Sequence, residues 1–135
     1  MSDFAIHPQL LTDCHLLGVI NSGYLLLHRN AVLPWFILVP DTECQDLLDL
    51  PDDVREQLMT DARRVADFIK TQFGLSKINV AALGNVVPQL HLHVIGRDPT
   101  DPCWPNPVWG NLTTEEDWPA NAVDDFSAAL CQCPD

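Results

Sequence analysis

Two imidazoles and an amide alternate with leucines in Gln89-Leu90-His91-Leu92-His93. Side chains alternate faces along a strand, so Leu90, Leu92 and Val94 share one face, the core face. Gln89, His91 and His93 share the other, with neighbours about 6.5–7 Å apart, two residues of rise. Imidazole titrates nearer neutrality than any other side chain, so such a row can attack an electrophile or pass protons at cellular pH. Periodicity alone leaves three readings open: a polar strand surface, a pair of metal ligands, or a catalytic pair. Zinc wants three or four ligands, and no further Cys or His lies close by in sequence.

Other elements must position this row. Residues 15–28 read as two short strands broken at Asn21-Ser22-Gly23, a turn cluster, and Arg29-Asn30-Ala31 as a loop. Trp35 to Val39 is an apolar strand bracketed by Pro34 and Pro40. Residues 52–73 predict the longest helix. Val54, Leu58, Ala62, Val65, Ile69 and Phe73 form one apolar stripe, Arg63, Arg64 and Lys70 fall on other faces, and Gly74 stands where a left-handed cap is wanted. Asp53 with Glu56 has the spacing of a capping box. Residues 77–83 predict a strand closed by Gly84-Asn85, and Leu90 to Ile95 the next, closed by Gly96. Strands, one long helix and further strands imply an α+β fold with an antiparallel sheet.

After Arg97 the character changes. Residues 98–121 hold five prolines and three of the four tryptophans, an ordered, loop-rich tail, and residues 122–130 could form a short final helix. The 135 residues suit one domain, 1–135, with a core over about 15–97 and a tail over 98–135. Hydrophobic residues make up 47%, a globular composition. No apolar run approaches the roughly 20 residues of a membrane span, and Met1-Ser2-Asp3-Phe4 does not open a secretory signal. A cytoplasmic protein with no membrane partner is therefore expected. The net charge is −12. Residues 1–97 carry 11 acids and 7 bases; the tail carries 8 acids and no Lys or Arg. That excludes nucleic-acid binding through a basic surface and opposes anionic substrates at long range. Any phosphate site must be built locally. The odd set Cys14, Cys44, Cys103, Cys131 and Cys133 does not read as a disulfide framework. The terminal Cys131-x-Cys133 could hold a metal only with outside help.

Val86-Val87-Pro88-Gln89-Leu90-His91-Leu92-His93-Val94-Ile95-Gly96-Arg97 resembles the motif of the histidine-triad (HIT) family, His-φ-His-φ-His-φ-φ, with φ apolar. Every position fits except the first, where Gln89 replaces His. The strand ending Leu38-Val39-Pro40, the helix and the strand at 77–83 follow the family's order, so the resemblance covers about residues 15–97. Pro107-Val108-Trp109-Gly110 resembles a closing element of bacterial members.

The resemblance implies a five-stranded HIT-like sheet, a homodimer, and a nucleotide hydrolase or transferase that needs no cofactor or metal. It places the nucleophile at His91, which would form a covalent nucleotidyl-imidazole later released by water. It gives His93 phosphate binding and proton traffic. Gln89 would orient a neighbour but cannot change charge, so turnover would be slow or the leaving group would need no proton. Substrates of this class are nucleoside phosphoramidates or dinucleoside polyphosphates. Asn85 could meet a phosphate or leaving-group oxygen, though a Gly-Asn turn explains it as well. For the ribose the candidates are Asn30 and His28. Arg29 reads as solvated, Arg97 as a surface, dimer-contact or catalytic residue, and His7 and His15 as ordinary. The alternatives are a nucleotide-binding module with weak or no catalysis, and a structural protein with zinc on His91 and His93. A Gln89→His exchange on an open strand face would leave stability nearly unchanged.

Overall fold

A computed structural model describes residues 3–132. Cys133 lies outside the described residues, and so does the reading of Cys131-x-Cys133 as a metal pair. The elements run α1 (Pro8–Asp13), β1 (Cys14–Val19), β2 (Gly23–His28), β3 (Trp35–Pro40), a single 3-10 turn (Leu47–Asp49), α2 (Asp52–Phe73), β4 (Lys77–Ala81), β5 (Leu92–Arg97) and α3 (Ala120–Leu130). The strands form one antiparallel sheet in the order β1-β2-β3-β5-β4. This is the expected α+β arrangement, a five-stranded antiparallel sheet with α2 as its long helix. The short helix α1 was not anticipated.

The two faces of the sheet are covered differently. Leu25, Leu27, Phe36, Leu38, Leu92 and Val94 face the helices, packed with Leu58, Val65 and Ile69 of α2 and Phe126 and Leu130 of α3. Trp35, Ile37, Val39 and Ile95 belong to a second cluster on the other side, with Leu10, Cys14, Val87, Cys103 and Val108. The first face is a core of the ordinary kind. The second is roofed by α1, the loop after β4 and the C-terminal tail, and it is the face that carries the histidines.

The apolar stripe of α2 is buried as its spacing requires. Gly74 ends the helix in the left-handed region at φ 66°, where a side chain would be strained. The capping box does not form. The N-cap position is Pro51, with no side-chain cap, and Asp52 and Asp53 lie in the first turn. Their charge still complements the helix dipole there. Asp61 interrupts the stripe and is wholly buried. Its carboxylate accepts from the Ser22 backbone N–H and hydroxyl, both at 2.7 Å, and from the Asn21 amide at 3.2 Å. The helix is thereby fastened to the β1–β2 turn.

Two strand limits differ from expectation. β4 stops at Ala81, and β5 begins at Leu92, so Leu90 and His91 precede the strand. Gly96 lies inside β5 instead of closing it. A Cβ there would come within 2.5–2.7 Å of Ile69, Leu75 and Pro34, so α2 can settle on the strand only over a glycine.

The tail is held by an internal ion pair. Arg97 is 2% exposed, not a surface residue. Its Nε donates to Asp101 Oδ2 at 2.7 Å, and its remaining N–H groups reach Asp101 Oδ1, Asn79 Oδ1 and the Asn106 carbonyl. Burial pushes the Asp101 carboxyl up, but Arg97 and the N–H groups of Asp98 and Cys103 outweigh it and leave the pKa below the ordinary value.

Candidate active site

His93 faces the second side of the sheet from β5, where Ile37 is its partner on β3. The ring is 5% exposed and stands between two indoles. Trp35 Nε1–H donates to His93 Nδ1 at 3.0 Å. Trp109, from the tail, meets the same ring edge-on at 4.9 Å. Burial, then the neighbouring His91 and His28, push the His93 pKa down to about 3.

His91 lies just ahead of β5, still on the side of His93. The two rings meet edge to face with centroids 4.9 Å apart, closer than two residues of rise would set them. His91 Nδ1 is 2.7 Å from the backbone carbonyl of Gln89. A carbonyl oxygen only accepts, so Nδ1 carries the proton and a neutral ring keeps its lone pair at Nε2. An imidazole held this way has a nucleophilic nitrogen on the side away from the chain.

Both histidines line a cleft of about 470 Å³, within the range of small-molecule sites. Leu10, Asp13 and Cys14 form one wall, His28, Trp35 and Trp109 another, and Gly84, Asn85 and Val87 the third. Among the described residues no Lys or Arg lines it. His28 ends β2 and stacks on Trp35 at 4.1 Å with the rings 10° from parallel. Burial lowers its pKa, against the opposing pull of Asp13 and Glu115. Burial also drives the Cys14 thiol up to about 12, so it stays uncharged.

The sequence candidates therefore divide. The cleft collects His91, His93, His28 and Asn85. The side chain of Gln89 points elsewhere: Nε2 donates to the Ala5 carbonyl and Oε1 accepts from the His7 N–H, each at 2.8 Å. Only its backbone serves His91. Asn30 is tied to the tail. Its Oδ1 accepts from the N–H groups of Val32 and Glu116, and its Nδ2 donates to the Thr114 carbonyl. It lines an adjoining cleft that shares His28, Trp35 and Trp109 with the first. His7, read as ordinary, caps α1 by accepting from the Gln9 N–H. Arg29 is exposed and reaches His15 and the Thr12 carbonyl. Sequence reasoning missed Trp35, Asp13 and Cys14, which no motif singles out. Trp109 was signalled by its Pro-Val-Trp-Gly setting. Among the described residues no group of three His, Cys, Asp or Glu side chains could hold a metal ion.

The HIT domain model matches residues 12–100, and the chain belongs to that family. It is similar to a histidine-triad protein of Sinorhizobium meliloti, 35% identical over 95% of each chain, with a TM-score of 0.86. Histidine-triad proteins of Bradyrhizobium japonicum and Marinobacter aquaeolei are each 37% identical with TM-scores of 0.84. They cover 93% and 94% of this chain, and 94% and 93% of their own. No curated protein matches the chain.

Proposed function

We propose that the protein is a nucleotidyl hydrolase or transferase that works through a covalent nucleotidyl-histidine at His91. The observation that carries this reading is the 2.7 Å bond from His91 Nδ1 to the Gln89 carbonyl, which holds a proton on Nδ1 and in the neutral ring puts the lone pair on Nε2. Nε2 would attack the α-phosphorus of a nucleoside phosphoramidate or dinucleoside polyphosphate, the P–O or P–N bond to the leaving group would break, and water would later release the nucleotide. His93 supports the phosphoryl oxygens. His28 and Asn85 meet the nucleotide directly, and Asn30 holds the wall beside them. Gln89 stands where the family motif has its first His, and it acts through its backbone.

The opposing observation belongs to the same residue. With its amide bonded to Ala5 and His7, the Gln89 side chain supplies neither a proton nor a contact to the leaving group. That favours, as the second reading, a nucleotide-binding module with weak or no catalysis.

The reading extends to a single cytoplasmic domain that pairs as a homodimer. Among the described residues no helix is long and apolar enough to cross a membrane. The β1 edge of the sheet is partly covered, because Val19 accepts from the Gln132 N–H and Leu17 from the Ser127 hydroxyl. The β4 edge and the loop after it instead expose Val80, Leu83 and Val86. An exposed apolar edge strand is a template for pairing with another chain.

The test is intact-protein mass spectrometry after brief mixing with an adenosine phosphoramidate and, separately, diadenosine polyphosphates, quenched at mild alkaline pH. The expected result is a mass gain of one nucleotidyl group, absent in a folded His91→Ala variant. Turnover retained in that variant sinks the covalent mechanism. Nucleotide affinity without adduct or product selects the binding module.

A further inference from the structure

The indole nitrogen of Trp35 has a hydrogen and no lone pair to offer, so in its 3.0 Å contact with His93 it can only donate. Nδ1 of His93 must then be the acceptor, without a proton. Of the two neutral tautomers only the one with hydrogen on Nε2 satisfies the bond. His91 is held the opposite way, with hydrogen on Nδ1. When both rings are neutral, two adjacent imidazoles in contact carry complementary edges, a lone pair on Nε2 of His91 and an N–H on Nε2 of His93.

We propose that Trp35 is a positioning residue: its indole N–H locks His93 in the Nε2–H tautomer and makes that ring a fixed hydrogen-bond donor beside His91. The donor role rests on the nucleotidyl-transfer reading above; the tautomer does not. Everything around the ring agrees with the assignment. Trp35 is itself held, stacked on His28 at 4.1 Å and edge-on to Trp109 at 6.0 Å. The titratable groups acting on His93 are His91 on its own chain segment and His28 from β2, and Asp13 and Cys14, at the end of α1 and the start of β1, line the same cleft. The site's burial and its two imidazole neighbours keep His93 neutral, so a tautomer choice exists to be made. A neutral N–H donor suits a phosphoryl oxygen in a cleft without Lys or Arg, because a preorganised donor needs no reorganisation as charge develops.

The experiment is 15N NMR of labelled imidazoles in the full chain at pH 7 and pH 5. In the wild-type protein the expected His93 spectrum is the single Nε2–H tautomer at both values, with a through-hydrogen-bond coupling from Nδ1 to the Trp35 indole nitrogen. A protonated Nδ1 or a tautomer mixture overturns the proposal without any variant. Trp35→Phe keeps a ring in place and removes the donor. It is expected to release His93 into a tautomer mixture and, for an active protein, to lower kcat about tenfold while KM stays within about twofold, less than the loss of a whole oxyanion donor. An unchanged tautomer in the folded variant overturns the lock. A changed tautomer with unchanged kcat overturns the positioning role. Because the spectra are read without substrate, failure of the catalytic reading and failure of the lock are told apart.

Discussion

Arg97 and Asp101 form a two-pronged ion pair inside the protein, Nε to Oδ2 at 2.7 Å and Nη2 to Oδ1 at 3.2 Å, with side chains 2% and 4% exposed. The pair joins the end of β5 to the first turn of the tail. Removing one partner of a buried pair strands the other charge, which costs about 3–5 kcal/mol. Arg97→Ala is therefore expected to lower the unfolding free energy measured by urea melts by that amount. Adding Asp101→Ala should recover part of the loss. Equal stability of Arg97→Ala and wild type would show that the pair is open to water.

Gln89→His is expected to cost stability, contrary to the sequence reading of an open strand face. The amide makes two hydrogen bonds to the backbone of Ala5 and His7, and each net bond contributes about 1 kcal/mol. A loss of about 1–2 kcal/mol follows, with faster hydrogen exchange at the His7 amide. Unchanged exchange there would mean that Gln89 does not hold the N-terminal segment.

Stability is expected to fall on mild acidification. The His93 pKa lies at about 3 in the folded chain, below its ordinary 6.5. Between those values the unfolded chain binds a proton that the folded chain refuses. Folding stability from this group is complete above pH 6.5 and drains as the pH falls toward 3, at up to about 1.4 kcal/mol per pH unit. His28, also lowered, adds to the same slope. Urea melts at pH 7 and pH 5 measure it, and His93→Phe should flatten it. An identical slope in that variant would place the titration elsewhere.

The β4 edge gives a prediction for assembly. Val80→Lys puts a charge on the exposed edge strand, a device that blocks edge pairing. Light scattering after size exclusion is expected to show a dimer for the wild type and a monomer for the variant. A variant that stays dimeric would move the interface off β4.

The limits of α2 were legible from the sequence because one amphipathic period, interrupted at Asp61, runs from Val54 to Phe73 and Gly74 ends it. The faces of Leu92, His93 and Val94 were legible because alternation is a local property. Asp61 was not, because a buried carboxylate on an apolar stripe makes sense only once the β1–β2 turn arrives above it. The buried pairing of Arg97, read as a surface, dimer-contact or catalytic residue, was not legible because its partner is a loop residue whose path no periodicity records. Trp35 escaped for the same reason, its hydrogen bond spanning 58 residues between strands that only topology brings together.

That topology has a kinetic consequence. β1, β2 and β3 form a meander of short connections, whereas β5 reaches β3 only after α2 and β4 have been traversed. Local hairpins close early, and pairing across a long loop waits for its entropy to be repaid. Trp35 lies on one side of that late seam and His93 on the other. A chain with only one half of the sheet formed would contain both histidines and no site, so the Trp35–His93 bond requires both halves of the sheet to have met.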